Sequence, residues 1–459
     1  MFDSARIVDS SVVDQASRVH AAFFASKSGD AYNIDIHSFL DGATGGSAHQ
    51  WAATLANSFR RTVRAMGRRF IDATAIMLID TIVETAHDTL SLLKDSDELE
   101  GNVPVVRDFV NGLLDTGYVD QLTQAVGLLA LPLAGRPHDS AHGIEHTRQE
   151  ALFQALLLLR MFLDVRLRYA PLISVSHGLL SALGATAGLN LVPDVKELVQ
   201  YFLNGVLQPA LTNPQIVSAL AQDMSDSTQR LNQYRQSTFQ PQFDALIAGI
   251  ERQRLRVPRW MVKADRPDRV CDGLQCIVVG EKRRFRQCTG CNYRLYCSVP
   301  CQRSDWTTGN HRNTCRAYLS LSTELTALTS PSTRSFLRFM MNEDYLRDHA
   351  GSAAGGSPPN IAMFDYRGGY RAESGNTVRY VDCFTEPVTV SAPGLSGPHE
   401  ALEADYVQRT ARDAEVGVGW NICIVRYMGS ESDSYSSLTF VHRILRKAIV
   451  SPFNAATSG

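Results

Sequence analysis

Eight cysteine and histidine residues, the side chains that structural zinc sites use most, lie within 45 consecutive positions of this 459-residue chain. They are seven of its nine cysteines and one histidine: Cys271, Cys276, Cys288, Cys291, Cys297, Cys301, His311 and Cys315. Zinc prefers thiolate sulfur and imidazole nitrogen, and a structural site uses four such ligands in a tetrahedron. The eight donors therefore predict two structural Zn²⁺ sites, with no coordination position left for a reacting water.

The donors come in four close pairs. The third and fourth, Cys288 and Cys291, flank Thr289 and Gly290 and suit a tight knuckle in which glycine supplies backbone freedom. The fifth and sixth donors, like the seventh and eighth, are four residues apart, which on a helical turn places both side chains on one face. The first two need a loop. Spacing alone leaves open which pairs share an ion.

A disulfide framework is the alternative explanation for clustered cysteines. The odd number of cysteines in the cluster, the histidine at ligand spacing and the lack of an apolar signal segment in residues 1–30 favour zinc instead. Reduced cysteines and no targeting segment predict a cytoplasmic or nuclear protein. Cations that could offset the thiolate charge precede the cluster or lie inside it: Arg252, Arg254, Arg256, Arg259, Lys263, Arg266, Arg269, Lys282, Arg283, Arg284 and Arg286.

Residues 271–315 resemble the MYND-type zinc finger. The matching text is Cys288-Thr289-Gly290-Cys291, Tyr296-Cys297, Cys301-Gln302, Asp305-Trp306 and His311-Arg312 closing on Cys315. The resemblance implies interleaved zinc sites. One zinc would be held by Cys271, Cys276, Cys297 and Cys301, and the other by Cys288, Cys291, His311 and Cys315.

The resemblance also implies a docking surface for short proline-rich peptides, lined here by Gln302 and Trp306. An aromatic face beside an amide suits an extended proline-containing strand. The alternative is that Trp306 forms the hydrophobic core of a small finger. The resemblance covers about a tenth of the chain and leaves the flanking regions to be interpreted from their own residues.

Composition predicts an ordinary multidomain protein around the finger. The chain is 44% hydrophobic and 20% charged, with a net charge of −2, which gives no general attraction to nucleic acid. Its most apolar stretch, residues 152–163, is short and interrupted by Arg160, so no membrane span is expected.

Residues 1–250 predict a mainly α-helical domain. Ile76, Ile79, Val83, Ala86 and Leu90 recur at steps of three and four residues, as an amphipathic helix requires. Successive short helices with Gly, Pro and Asn breaks favour an armadillo-like or HEAT-like solenoid, with an irregular helical bundle as the alternative. A helix over 243–255 and a basic connector over 251–270 would then lead into the finger.

Beyond the finger, the pattern predicts a helical segment over 316–349, a flexible linker over 350–359 and a small α+β region over 360–459. Strands are predicted at 361–366, 378–384 and 420–428, with a helix at 401–414. Cys383 and Cys423 fall within two of these strands and are expected to be apolar fillers.

These features predict a non-enzymatic adaptor that binds protein partners through the finger and the helical half. The order of a helical half before a finger resembles fungal MYND proteins with armadillo-like N-termini, although their finger lies nearer the C-terminus. A nuclear transcriptional regulator using the basic flank is one alternative. A SET/MYND-type lysine methyltransferase is the other, but neither a Gly-rich cofactor segment nor an Asn-His-Ser-Cys-like segment is found.

Overall fold

The protein is described here from a computed structural model, and its contacts divide the chain into two compact units. One unit comprises Met1–Leu203 and Ala219–Asp244, and the other comprises Asn204–Ser218 and Ala245–Gly459. The residues that the structure describes are 47–65, 71, 73–95, 103–133, 141–164, 174–226, 232–264, 268–276, 278–328, 330–350, 361–365, 378–381, 405, 409, 418–427 and 436–445.

The N-terminal half is mostly helical, as predicted. Its helices are α1 Ala48–Ala65, α2 Ala73–Asp95, α3 Val103–Asp115, α4 Tyr118–Leu129, α5 Ala141–Asp164, α6 Leu179–Ala187, α7 Pro193–Tyr201, the π-helical turn Phe202–Leu207 with the short turn Gln208–Ala210, and α8 Pro214–Asp226. The solenoid arrangement stays a prediction. Among the residues described, no helix combines the length and the apolar character needed to cross a membrane.

Regular apolar spacing accounts for the packing of these helices. The α2 side chains predicted to form one face, from Ile76 to Leu90, are all buried. Aromatic rings join further helices, with Tyr118 of α4 lying 5.1 Å from Phe59 of α1 and 6.1 Å from Phe162 of α5, measured between ring centroids. Burial of such large rings contributes a major part of the apolar free energy in a helical core.

The helix that precedes the finger, α9 Gln240–Ala264, extends further than predicted. It continues through Pro258 instead of ending at Leu255, so much of the expected basic connector is helical. A second long helix packs against the C-terminal end of α9. In this helix, α12 Pro331–Ala350, the Phe336 ring lies 5.5 Å from the ring of Trp260, measured between centroids.

The finger consists of two small hairpins and two helices. Strand β1 Asp268–Val270 pairs antiparallel with β2 Val279–Glu281, and β3 Arg286–Gln287 pairs antiparallel with β4 Leu295–Tyr296. Helix α10 Val299–Thr307 and helix α11 His311–Leu328 follow. These short elements carry the donors and leave little apolar surface for an independent core, so metal is expected to stabilise the fold.

A four-stranded sheet lies near the C-terminus, in the order β6-β5-β7-β8. Its strands are β5 Ile361–Asp365, β6 Val378–Val381, β7 Val418–Tyr427 and β8 Ser436–Leu445. Strand β7 lies parallel to β5 and antiparallel to β8. Strand β8 was not predicted from sequence, although Leu438, Phe440 and Ile444 give an alternating apolar pattern.

Several predictions for this region lie largely outside the described residues. The linker at 350–359 does so except for Ala350, which ends α12, and so does Cys383. Cys423 lies in β7. Of the helix predicted at 401–414, the structure describes Asp405 and Arg409, and both are helical.

Candidate metal centre

The eight predicted donors come together in two groups of four. Within each group, the ligand atoms all lie within 4.8 Å of one another. The first group is Cys271, Cys276, Cys297 and Cys301, and the second is Cys288, Cys291, His311 and Cys315. These are the interleaved sets that the family resemblance implied.

The distances between donors fit zinc. The Sγ atom of Cys297 lies 3.5 Å from the Sγ atoms of both Cys276 and Cys301. In the second group, His311 Nε2 lies 3.3 Å from Cys288 Sγ and 3.8 Å from Cys291 Sγ. Tetrahedral zinc with its usual bond lengths requires separations of about 3.5 to 3.8 Å between neighbouring donors. Each group could therefore hold one Zn²⁺ with small adjustments.

The first group is built at the ends of β1 and β4. Cys271 directly follows β1, and its sulfur accepts backbone N–H hydrogen bonds from Gly273 and Cys297. Such hydrogen bonds stabilise a thiolate. Cys297 was expected to share a helical face with Cys301, but it precedes the helix, and Ser298 is the N-cap of α10. The strand-to-helix turn thus brings these two sulfurs together, because only Cys301 is helical.

The second group combines the knuckle after β3 with the first turn of α11. His311 and Cys315 are both in α11, four residues apart as predicted. In the knuckle, the positive φ of 52° falls on Asn292, whose N–H donates to the Cys288 carbonyl. Gly290 has a different role from the one predicted, because a Cβ atom there would lie 3.0 Å from Cys315 Sγ. This glycine provides space for the sulfur.

The two groups differ in exposure. All four donors of the second group are buried, whereas Cys276, Cys297 and Cys301 of the first are half-buried. Burial raises the pKa of the Cys291 thiol and raises that of Cys315 to about 12. Zinc binding must therefore displace protons from these thiols, which couples metal affinity to pH.

His311 is held by aromatic rings. Burial, followed by the charge of Arg294, lowers its pKa, which favours the neutral imidazole that a metal requires. Its ring centroid lies 5.6 Å from that of Trp306, 6.1 Å from that of Tyr296 and 6.3 Å from that of Tyr318. Among the described residues, its Nδ1 atom has no hydrogen-bond partner. The orientation of this ligand therefore depends on packing.

A buried ion-pair network, comprising Asp272, Arg294, Asp305, Asp405 and Arg409, lies beside the metal centre. Arg294 pairs with Asp272 at 2.9 Å and also with Asp405. Arg409 pairs with Asp405 at 2.9 Å and with Asp305 at 2.8 Å. Burial alone would raise the pKa of Asp405, but the two guanidinium groups outweigh it and lower that pKa. Three carboxylates and two guanidinium groups are thus stabilised together in a site closed to water.

Arg409 also bonds the backbone of the finger. It donates to the carbonyl oxygens of Asp272 and Gly309. The hydroxyl groups of Tyr296 and Tyr318 donate to Asp305 and Asp405 at 2.7 and 2.6 Å, respectively. The finger is therefore completed by residues about a hundred positions downstream. Sequence reasoning missed Asp405 and Arg409, whose one signal was an acid and a base four residues apart in a predicted helix.

The two predicted peptide-binding residues lie on one face of α10. Gln302 is half-buried and Trp306 is 39% exposed. Val299, which is 42% exposed, precedes them by three and seven residues and so shares this face. The buried cluster of the finger contains Tyr296 and Tyr318 with the cysteines. The alternative in which Trp306 forms that core does not agree with its exposure.

Comparison with known proteins identifies one family. Residues 270–315 match the MYND finger family model. No curated protein and no solved structure matches the chain.

Proposed function

Because residues 270–315 are a MYND finger, a zinc-binding protein-interaction module, we propose that this protein is a non-enzymatic adaptor. In this proposal, the finger docks proline-rich peptides of a partner protein, and the helical N-terminal half binds a second partner. Two structural Zn²⁺ ions hold the docking surface in shape. The cytoplasm or nucleus would suit such a protein, since its thiols must stay reduced to bind zinc.

The observation that carries the proposal is the exposed face of α10, formed by Val299, Gln302 and Trp306. A large aromatic ring that is 39% exposed is costly to leave in water and suits a peptide contact. The ring also makes a T-shaped contact with His311 of the second donor group, which helps to position it. A proline-rich strand could stack on the indole while the Gln302 amide bonds its backbone.

The ion pairs of α9 weaken the case for a DNA-binding regulator. Arg256 is buried and pairs with Asp344, and Arg259 pairs with Glu343 at 2.7 Å. Arg254 pairs with Glu251 at 2.9 Å. Phosphate binding depends on cations that can exchange counterions for phosphate groups. Since these arginines already contact carboxylates, the basic flank is less suited to nucleic acid than its sequence indicates.

The donor count supports a non-enzymatic role for the metal centre. Each group supplies four protein ligands, which is the full number for tetrahedral zinc. A catalytic zinc site keeps a position for water or substrate. When both groups are loaded, zinc would therefore act on the fold and not on a reaction. A methyltransferase assay on histone peptides with S-adenosylmethionine tests this part directly, and turnover would refute it.

An array of proline-rich peptides tests the docking proposal. Full-length, zinc-loaded protein is expected to bind a subset of the peptides. Trp306→Ala should weaken that binding by about thirtyfold or more, since aromatic anchors contribute at least about 2 kcal/mol. Gln302→Ala should have a smaller effect. Peptide binding that survives Trp306→Ala unchanged would place the docking site elsewhere.

The matched control is Met77→Ala. Met77 is an apolar side chain of α2 that is 62% exposed, so its truncation also removes exposed apolar surface. We expect this variant to bind the array like the original protein. Zinc content is measured for every variant, because Trp306 contacts a metal ligand and its loss could otherwise act through the fold.

A further inference from the structure

Helices α10 and α11 expose only positive charges among their described side chains. Arg303 of α10 and Arg312 and Arg316 of α11 are all exposed. None of the three forms an ion pair with another described residue. The one acidic side chain described in these helices, Asp305, is buried and pairs with Arg409. The ion-pair network thus buries the one described acidic side chain of these helices, and the described charged side chains that face solvent are cations.

The same helices also expose apolar side chains beside these arginines. Arg312, Arg316 and Leu319 are spaced by four and three residues, so they share one face of α11. Leu319 is 41% exposed. On α10, Arg303 lies three residues before Trp306. Trp306 reaches the start of α11, where it packs on His311 beside Arg312. The two helices therefore combine exposed apolar groups with a cationic border.

We propose that the finger selects acidic partners: proline-containing segments with Asp or Glu residues beside the docking sequence. This inference rests on the proposed docking function and specifies its partner. Apolar and proline side chains would contact Val299 and Trp306, while the acidic flank would face Arg303, Arg312 and Arg316. Planar guanidinium groups suit carboxylates, which they can contact through two hydrogen bonds.

Charge complementarity of this kind favours a peptide over nucleic acid. Phosphate-backbone binding draws its strength from many cations, typically about 6 to 10 phosphate contacts. The α10–α11 surface has three exposed arginines and alternates them with exposed aliphatic and aromatic groups. An apolar centre with a polar border is the usual arrangement of a protein-binding surface.

Three synthetic peptide pools test the inference. All share a Pro-x-x-Pro centre, and their flanks carry Glu, Ser or Lys. Binding to the full-length, zinc-loaded protein is measured by fluorescence anisotropy. Each exposed ion pair contributes at most about fivefold to affinity, so the Glu pool should bind about tenfold more tightly than the Ser pool. The Lys pool should bind most weakly. Raising the salt from about 0.1 M to about 1 M should largely remove this difference.

Two triple variants locate the effect. Replacing Arg303, Arg312 and Arg316 with Gln should bring the Glu and Ser pools to nearly equal affinity while leaving Ser-pool binding unchanged. The matched control replaces Lys282, Arg284 and Arg286 with Gln. These cations are also exposed and belong to the finger, but they lie in the β2–β3 segment. The control removes the same charge and should keep the preference for the Glu pool.

The outcomes separate this inference from the docking proposal. Equal binding of all pools, lost in Trp306→Ala, would overturn the acidic preference and leave the docking function standing. No binding of any pool would overturn both. A duplex DNA or single-stranded RNA probe that binds through Arg312 and Arg316 more tightly than the Glu pool would also overturn the inference, in favour of a nucleic-acid partner.

Discussion

Arg409→Met should destabilise the finger, although residue 409 lies far from every metal ligand in sequence. Methionine keeps much of the apolar stem of arginine and removes the guanidinium group. The loss removes the ion pairs with Asp305 and Asp405 and the hydrogen bonds to the carbonyl oxygens of Asp272 and Gly309. All of these contacts are buried.

The size of the destabilisation depends on the contacts that Asp405 and Asp305 keep in the Arg409→Met variant. Asp405 retains Arg294 and the Tyr318 hydroxyl, whereas the one contact that Asp305 retains with a described side chain is the hydrogen bond from Tyr296. Removing one partner of a buried ion pair costs about 3 to 5 kcal/mol, mainly because a charge stays buried without compensation. With one carboxylate stranded and one still paired, we expect about 3 to 4 kcal/mol.

Zinc release to a chromogenic chelator measures this loss, with hydrogen exchange across 286–297 as a readout that does not depend on metal. If zinc leaves through opening of the finger, the expected loss corresponds to release about two to three orders of magnitude faster, since each 1.4 kcal/mol is about tenfold. Exchange of the buried amides should accelerate in parallel.

Two further variants test whether the buried guanidinium group of Arg409 is the cause of the effect. Arg284→Met removes an exposed arginine of the same finger and should change stability by no more than about 0.5 kcal/mol. Combining Arg409→Met with Asp305→Asn removes the stranded charge and should recover part of the loss. Zinc release from Arg409→Met at the rate of the Arg284→Met control would refute the conclusion that residue 409 stabilises the finger.

Three other predictions concern the metal centre itself. Plasma mass spectrometry should find two zinc ions per chain, and the Cys276→Ser and Cys291→Ser variants should each lose one. Cys291→Ser should also unfold residues 271–315, while circular dichroism shows that the N-terminal helices stay intact. Gly290→Ala places a Cβ atom 3.0 Å from Cys315 Sγ, so the free energy of zinc binding should become about 1 to 3 kcal/mol less favourable, as for other overpacked sites. Equal zinc affinity of the variant and the original protein in a chelator competition would contradict this. Burial raises the pKa of Cys315 to about 12, so protons compete with zinc for this thiol and zinc affinity must fall as the pH is lowered. Calorimetry in buffers of different ionisation enthalpy should detect protons released when zinc binds, and a measurement of no released protons would contradict this reasoning.

The donor set could be predicted from sequence because the chemistry of zinc is local. Close pairs of soft ligands identified the eight residues, and the family resemblance implied the interleaved grouping that the structure has. The helices of the N-terminal half could be predicted for a similar reason, since a period of three to four residues directly reports a buried face. Their arrangement as a solenoid stays a prediction.

Other features depended on neighbours that local patterns do not reveal. The i, i+4 spacing of Cys297 and Cys301 suggested a shared helical face, but Cys297 directly follows strand β4 and precedes helix α10, so only Cys301 is helical. Gly290 was expected to relax the backbone, but its lack of a Cβ atom makes room for a sulfur from another element. Spacing reports a regular helix and does not report where that helix begins.

The sequence by itself determined that this protein has eight donors able to hold two zinc ions, a mainly helical first half and a MYND finger. Only the tertiary structure decided that Asp405 and Arg409 complete that finger, and that Trp306 lies at its surface. The physical reason is distance along the chain. Ligand spacing is read within a few residues, whereas the ion pair between Arg409 and Asp305 forms only after folding has brought together two residues that are 104 positions apart.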